Sequence, residues 1–321
     1  MAGLASPMSE SDAAIVAQAR AEGIACIPDL LTPDELAAAR ADFDVLHLDA
    51  RVETRTRGRE QNERTAPIRG KQRGRSGTAE ALDGFHEIAG SRVFSGGDQL
   101  GTYPGLARLF MHPRVVRIVG AIMGEPLPFL QHMLADRYNV GHPGLWAHSD
   151  AGPEHAPAFE RIATMIFLDD IGEPDPSLEY VPRTHIPYFL DPNSRVPPDA
   201  VLPLPVGRDT LDEIHAAHAK GRFIPVNVPA GGCVFRVPAT WHAVRPVNRL
   251  RRYITGRYLA RSDRPVSANA MRLIENATAE RRTSAGAARL QSFPAPLREL
   301  CSPEGLMVAR VPRAVPDGPR L

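Results

Sequence analysis

Phe129-Leu-Gln-His-Met-Leu-Ala-Asp-Arg-Tyr138 opens a region in which the hydrophobic period changes. Ahead of it apolar residues recur every three or four positions, as on helices; from here they come in short runs closed by Pro, Gly, Asn or Asp. Six more runs follow at 144–148, 161–168, 177–181, 223–228, 232–237 and 251–259. Seven short strands separated by turn signals predict an all-β sandwich or barrel, a β core over 125–260. A helical stretch at 210–220 interrupts it.

Outward from this core, the N-terminal part reads as helices over 11–50. Residues 11–23 form the first, with Ser11 or Asp12 as N-cap and Gly23 as stop. Strand 24–27 follows, and Thr32-Pro33-Asp34-Glu35 is a capping box that starts a second helix running to about residue 48. A further helix is expected over 103–124. Residues 51–75 hold nine Lys or Arg against three Glu and almost no large apolar side chain. Such a stretch cannot bury enough surface to offset its ordering entropy, and a mobile basic loop over 51–80 is expected. The tail, 262–321, reads as peripheral, with one helix near 271–281. The whole is expected to be one domain, mainly β with flanking helices.

Composition narrows the function. The 321 residues carry 38 Lys and Arg against 37 Asp and Glu, a net charge of +1, which disfavours a nucleic-acid or anionic-membrane coat. No run approaches the length of a membrane-spanning helix, and no basic-then-apolar leader opens the chain. Three widely spaced cysteines cannot build a disulfide framework. The expectation is a cytoplasmic protein.

The chemistry concentrates in two segments. His148-Ser149-Asp150 places an imidazole and a carboxylate at i and i+2, on one face of a strand. His47-Leu48-Asp49 has the same spacing but ends a helix, where the two side chains diverge, and it is assigned to the surface. Downstream, Pro229-Ala-Gly-Gly-Cys-Val-Phe-Arg-Val-Pro-Ala-Thr-Trp-His242 reads as turn, strand and histidine, followed by the basic pair Arg251-Arg252 at the head of another strand. Two His and one carboxylate with open positions describe the facial triad of a non-haem Fe(II) oxygenase. A 2-oxo diacid co-substrate would also need a cation for its far carboxylate, and an Arg supplies a bidentate one.

These segments resemble the phytanoyl-CoA dioxygenase (PhyH-like) family of Fe(II)/2-oxoglutarate-dependent oxygenases. The resemblance runs from about residue 13 to 259. Glu22-Gly-Ile-Ala-Cys-Ile-Pro-Asp-Leu-Leu-Thr-Pro-Asp-Glu-Leu36 is similar to the family's opening strand and helix, and Trp146-Ala-His-Ser-Asp150 to its first metal motif. Ser177-Leu-Glu-Tyr-Val-Pro-Arg-Thr-His185 is similar to its turn motif, with Arg183-Thr184 standing where the family has Gly-Ser. Trp241-His242, Pro246, Asn248 and the strand from Arg251 are similar to its closing motif.

The resemblance implies a double-stranded β-helix (jelly-roll, cupin-like) core. It implies that His148, Asp150 and His242 hold Fe(II), and that Arg251 and Gln131 hold 2-oxoglutarate, with O2 as oxidant and Arg252 a rival of Arg251. Tyr253 would share the inward face with Arg251 and touch the substrate, which is expected to be an anionic or carboxylate-bearing small molecule of secondary metabolism. Asp150 occupies the position that halogenases free for chloride, so a hydroxylase is expected. Two other classes stay open on the residues alone: a cupin-like Zn or Ni hydrolase, isomerase or sensor, and a catalytically silent binding module. His185 is expected to cap a carbonyl.

Overall fold

The chain enters through helix α1 (Glu10–Glu22), whose cap lies earlier than expected. Ser9 Oγ accepts from the Asp12 N–H at 3.1 Å, so neither Ser11 nor Asp12 is the N-cap. Asp12 instead is buried, accepting from Arg114 Nε at 2.8 Å and Arg117 Nη2 at 2.7 Å. At Gly23 the backbone takes φ 83, a turn that favours glycine, and passes into strand β1 (Ile24–Ile27).

Helix α2 (Pro33–Leu48) starts at the capping box, with Glu35 Oε2 accepting from the Thr32 N–H at 2.9 Å. His47 on α2 corrects the surface assignment. It is 3% exposed, its ring stacks on Phe43 at 4.0 Å, and its Nδ1 donates to Phe43 O at 2.9 Å. One turn separates the two residues, so His47 falls on the apolar face of the helix.

The computed structural model describes residues 8–48, 54–56, 85–88, 91–94, 97–140, 142, 145–148, 150, 159–172, 178–183, 185, 223–240, 242–261, 265–266, 268–304, 306 and 309–310. Strands β2 (Thr54–Thr56), β3 (Phe85–Ile88) and β4 (Ser91–Phe94) extend one sheet edge, with β2 parallel to β3. The expectation of a mobile loop over 51–80 is thus corrected at 54–56, where alternating Thr favours strand whatever the charge of its neighbours. The rest of that loop, and the helix expected at 210–220, lie outside the described residues.

A 3-10 turn (Gly97–Thr102) leads to α3 (Pro104–Phe110) and α4 (Pro113–Met123), two helices where one was expected. Pro113 cannot continue a helix but is well suited to start one. The strands then follow as β5 (Phe129–Tyr138), β6 (Leu145–His148), β7 (Arg161–Phe167), β8 (Glu179–Tyr180), β9 (Ile224–Pro225), β10 (Cys233–Arg236), β11 (His242–Val244) and β12 (Arg251–Leu259). All seven predicted runs hold a strand; the weakest, at 177–181 and 223–228, shrink to two residues each.

They form two sheets. The larger has the order β1-β10-β7-β12-β5-β4-β3-β2, and the smaller β6-β11-β8-β9. From β5 to β12 the chain crosses between the sheets at every step except β8 to β9, as in a jelly roll. Alternation along β12 gives the larger sheet two buried faces. Ile254 and Tyr258 pack with Val115, Val119 and Ile122 of α4 on the helical side, while Tyr253 packs with Tyr138, Met165 and Phe167 between the sheets. No described helix is long and apolar enough to cross a membrane.

The C-terminal segment is more than peripheral. Helices α5 (Ala268–Arg281), α6 (Ser284–Gln291) and α7 (Ala295–Cys301) follow a strand β13 (Pro265–Val266), which pairs with β14 (Ala309–Arg310). At the end of α5, Arg281 is 3% exposed. It donates to both carboxylate oxygens of Asp98, to Leu130 O at 2.8 Å and to Cys301 O at 3.0 Å. It ties the tail to β5 and to the 3-10 turn. Removing one partner of a buried pair strands the other charge, so Asp98→Ala is expected to cost about 3–5 kcal/mol, read as a fall in the denaturant midpoint. A change below 1 kcal/mol would show that the pair does not hold the tail.

Candidate metal centre and co-substrate pocket

His242 at the start of β11 lies directly opposite His148 at the end of β6. The pairing brings the backbones of the two segments to one level of the smaller sheet. Asp150 follows β6 by two residues, its N–H donating to Pro238 O at 3.0 Å. The carboxylate reaches the same place, because Arg236 on β10 joins it to His242. Arg236 Nη2 donates to Asp150 Oδ2 at 2.5 Å, and Nη1 lies 3.2 Å from His242 Nδ1.

The tautomer of His242 follows from its neighbours. Nδ1 is 2.9 Å from Thr240 O, which only accepts, whereas a guanidinium only donates. The shorter contact is to the carbonyl, so Nδ1 carries the hydrogen and Nε2 keeps its lone pair, as a metal ligand requires. Thr240 is itself fixed. It is fully buried and its Oγ1 donates to Gly23 O at 2.9 Å. A Cβ at Gly23 would collide with Thr240 and His185. His185 Nε2 donates to Arg20 O at 2.8 Å, which agrees with its expected capping role. The turn beside it forms despite its lack of glycine: Arg183 takes φ 66.

Two imidazoles and one carboxylate are a donor set that suits Fe(II), so the chemistry of these residues fits the implied metal.

The anchor candidates separate cleanly. Arg252 is spent on the sheet exterior, bidentate to Asp169 at 3.0 and 2.9 Å and bonded to Asp44 at 2.9 Å. Arg251 points the other way. It is 3% exposed, its Cζ lies 4.6 Å from the Tyr138 ring and 5.4 Å from the Tyr253 ring, and its Nε and Nη1 have no hydrogen-bond partner among the described residues. A buried guanidinium with orphaned donors is a costly feature unless an anion completes it. Burial, with the Arg251 charge added, holds His142 down at about 4, so His142 adds no charge beside Arg251 at neutral pH.

Tyr253 faces inward as expected, stacked at 5.8 Å on Tyr138 and tilted against Phe167 at 5.3 Å. Its place is beside Arg251, four residues along β12 from the level of Arg257, which shares Ala163 as a partner with Arg236. Gln131 does not meet Arg251. It lies on β5 seven residues from Tyr138, the partner of Arg251, which is about 23 Å along an extended strand. Its Oε1 is buried without a partner, at the end of β5 near Arg257.

Sequence reasoning passed over Arg236, Asp136, Arg161 and Arg257, all on inward faces. The signal was present in the period of two: Leu134, Asp136 and Tyr138 alternate on β5 as Tyr253, Thr255 and Arg257 do on β12. Asp136 is the least comfortable of them. Burial pushes its carboxyl up to about 6, against the opposing pull of Arg257, Thr255, Arg251 and Tyr253.

Residues 19–249, most of the chain, match the family model described as phytanoyl-CoA dioxygenase (PhyH). Solved structures of similar fold include HygX from Streptomyces hygroscopicus with nickel, 2-oxoglutarate and hygromycin B bound, at TM-score 0.53 and 15% identity over 82% of this chain and 94% of that one. The non-haem α-ketoglutarate-dependent carbocyclase SnoK from nogalamycin biosynthesis gives 0.52 and 17% over 79% and 85%. EctD from S. alaskensis with bound Fe gives 0.50 and 16% over 80% and 78%. At these identities the likeness is one of fold. Comparison with curated proteins gives no match.

The Asp136 environment makes a pH prediction. The folded carboxyl keeps its proton to about pH 6 and the unfolded one only to 3.8, so its favourable contribution is complete below 3.8 and lost as pH rises through 6. Asp136→Asn does not titrate, and is expected to melt higher than the parent at pH 7.5, by roughly 2–3 kcal/mol of stability, with the gap closing near pH 4. Thermal melts at the two pH values check this; a gap independent of pH would refute it.

Proposed function

We propose that this chain, which belongs to the phytanoyl-CoA dioxygenase (PhyH) family of non-haem Fe(II)/2-oxoglutarate-dependent enzymes, hydroxylates an unactivated C–H bond of a small molecule of secondary metabolism. Iron, 2-oxoglutarate and O2 are the metal, co-substrate and oxidant on which this family depends. The observation that carries the reading is the meeting of Asp150 and His242 on one guanidinium, Arg236, with His148 at the register position opposite His242. The substrate class rests on likeness to HygX, which holds hygromycin B, and to SnoK, of nogalamycin biosynthesis.

His148, Asp150 and His242 would hold the iron. Thr240 fixes the His242 ring and Arg236 aims the Asp150 carboxylate. Arg251 would grip the far carboxylate of 2-oxoglutarate, with Tyr138, Tyr253 and Phe167 walling that pocket against water. In this arrangement Tyr253 serves the co-substrate pocket and not the substrate. Gln131 would meet the keto acid only at its metal end. When bound, the iron with 2-oxoglutarate and O2 supplies the oxidation of the C–H bond and releases succinate and CO2. Asp150 keeps the carboxylate position filled, which sets chloride transfer aside.

Anaerobic addition of Fe(II) and 2-oxoglutarate is expected to give a weak visible charge-transfer band, absent in His242→Ala. Arg251→Ala is expected to raise the 2-oxoglutarate concentration for half-formation of that band roughly 10- to 100-fold, the value of a charge-assisted pair, while Arg252→Ala leaves it within about twofold. A band in the parent that is unmoved by Arg251→Ala would refute the anchor; no band at all would refute the oxygenase.

A further inference from the structure

The barrel interior carries more positive charge than the metal and co-substrate groups account for. Strands β10, β7 and β12 lie side by side, and their register sets Arg236 and Arg257 on either side of Ala163. Partners in register project from the same face, and Met165, two residues from Ala163, packs inside among Tyr138, Phe167 and Tyr253. Arg161, two residues the other way, shares that face. Three guanidiniums thus gather at the metal end of the barrel.

Arg236 is engaged by Asp150. Arg161 and Arg257 make no hydrogen bond or ion pair among the described residues, although Arg161 is 9% exposed and its Nε is buried without a partner. Burial, with Arg257 as the next influence, pulls the Arg161 guanidinium down to about 10, against the weaker opposing effects of Asp150 and Glu160. The nearby carboxylates have other tasks. Asp150 serves Arg236 and the metal, and Asp136 is shared among Thr255, Tyr253, Arg251 and Arg257. Two like charges at diagonal register positions of neighbouring strands, Arg161 buried and Arg257 half-buried, call for an anion from outside the protein.

We propose that Arg161 and Arg257 form an oxyanion site that anchors a carboxylate or phosphate group of the substrate beside the metal ligands. This deepens the oxygenase reading above and rests on it for the identity of the ligand as substrate. Two guanidiniums on neighbouring strands fit a planar or tetrahedral oxyanion by bidentate donation. Anchoring one end of the substrate at this level of the barrel would fix which C–H bond faces the metal.

The test uses full-length, metal-free protein titrated with inorganic phosphate in one arm and acetate in the other, read by thermal melting. At about ten times its Kd, the matching anion is expected to raise Tm by roughly 2 °C. The shift is expected to persist in Arg251→Ala and to vanish in Arg161→Gln/Arg257→Gln. The larger response names the class: phosphate for a phosphate ester, acetate for a carboxylate. The same double variant, loaded anaerobically with Fe(II) and 2-oxoglutarate, is expected to keep the charge-transfer band of the parent.

No shift in the parent, an equal shift in the double variant, or loss of the shift in Arg251→Ala would overturn the proposal. So would loss of the band in the double variant, which would assign the pair to the keto acid. An anion shift without a band in the parent would leave the anion site standing and remove the oxygenase. Should the double variant not fold, Arg257→Met alone, at the half-buried member, carries the same comparison.

Discussion

One antiparallel register holds the candidate centre together: His242 opposite His148. Because side chains alternate across a strand, a slip of one residue would send one histidine to the far face of the sheet and leave the other without its partner. The pairing is short, with β11 only three residues long and its register irregular between His242 and Val244. Its fixity comes from outside the ladder. Thr240 is tied to Gly23, the Asp150 N–H to Pro238, and the Asp150 carboxylate to Arg236. The N-terminal helix therefore bears on the site, since the turn that ends α1 at Gly23 supports the carbonyl that orients His242.

Buried charge divides the molecule into two regimes. On the helical side, buried charges meet counter-charges: Arg281 with Asp98, Asp12 with Arg114 and Arg117. Such pairs fix how helices sit on the sheet. Between the sheets the balance fails. Arg161, Arg236, Arg251 and Arg257 face Asp136 and Asp150, and Arg251 has donors with no acceptor. An interior with this excess is unfavourable when empty and favourable when anions enter, which is the electrostatic form of a binding cavity.

The strands and the motif spacings were legible because they rest on local periodicity and on residue types that chemistry restricts. His148, Asp150, His242 and Arg251 stood out as types rarely buried without a task. Arg236, Arg161 and Arg257 did not, since an arginine in a strand reads equally well as a solvated outer residue until the sheet pairing shows which face is inside. The same blindness sent His47 to the surface, and counted Arg55 toward a loop when its neighbours Thr54 and Thr56 pair with β3. Gln131 came from the family resemblance, yet its distance along β5 from Tyr138 sets it away from Arg251. Long-range register lies beyond any single stretch of sequence.

Arg251 and Arg252 show how much that register decides. They are adjacent, chemically identical and at the head of one strand, so composition and spacing barely distinguish them. Strand alternation puts one on each face. Arg252 finds Asp169 and Asp44 outside, three carboxylate contacts that fix it where it lies. Arg251 finds two aromatic rings and no hydrogen-bond acceptor for Nε or Nη1. Leaving donors of a buried charged group unmade costs on the order of 1–3 kcal/mol, a large part of a domain's net stability, and a fold keeps that defect only where a ligand repairs it.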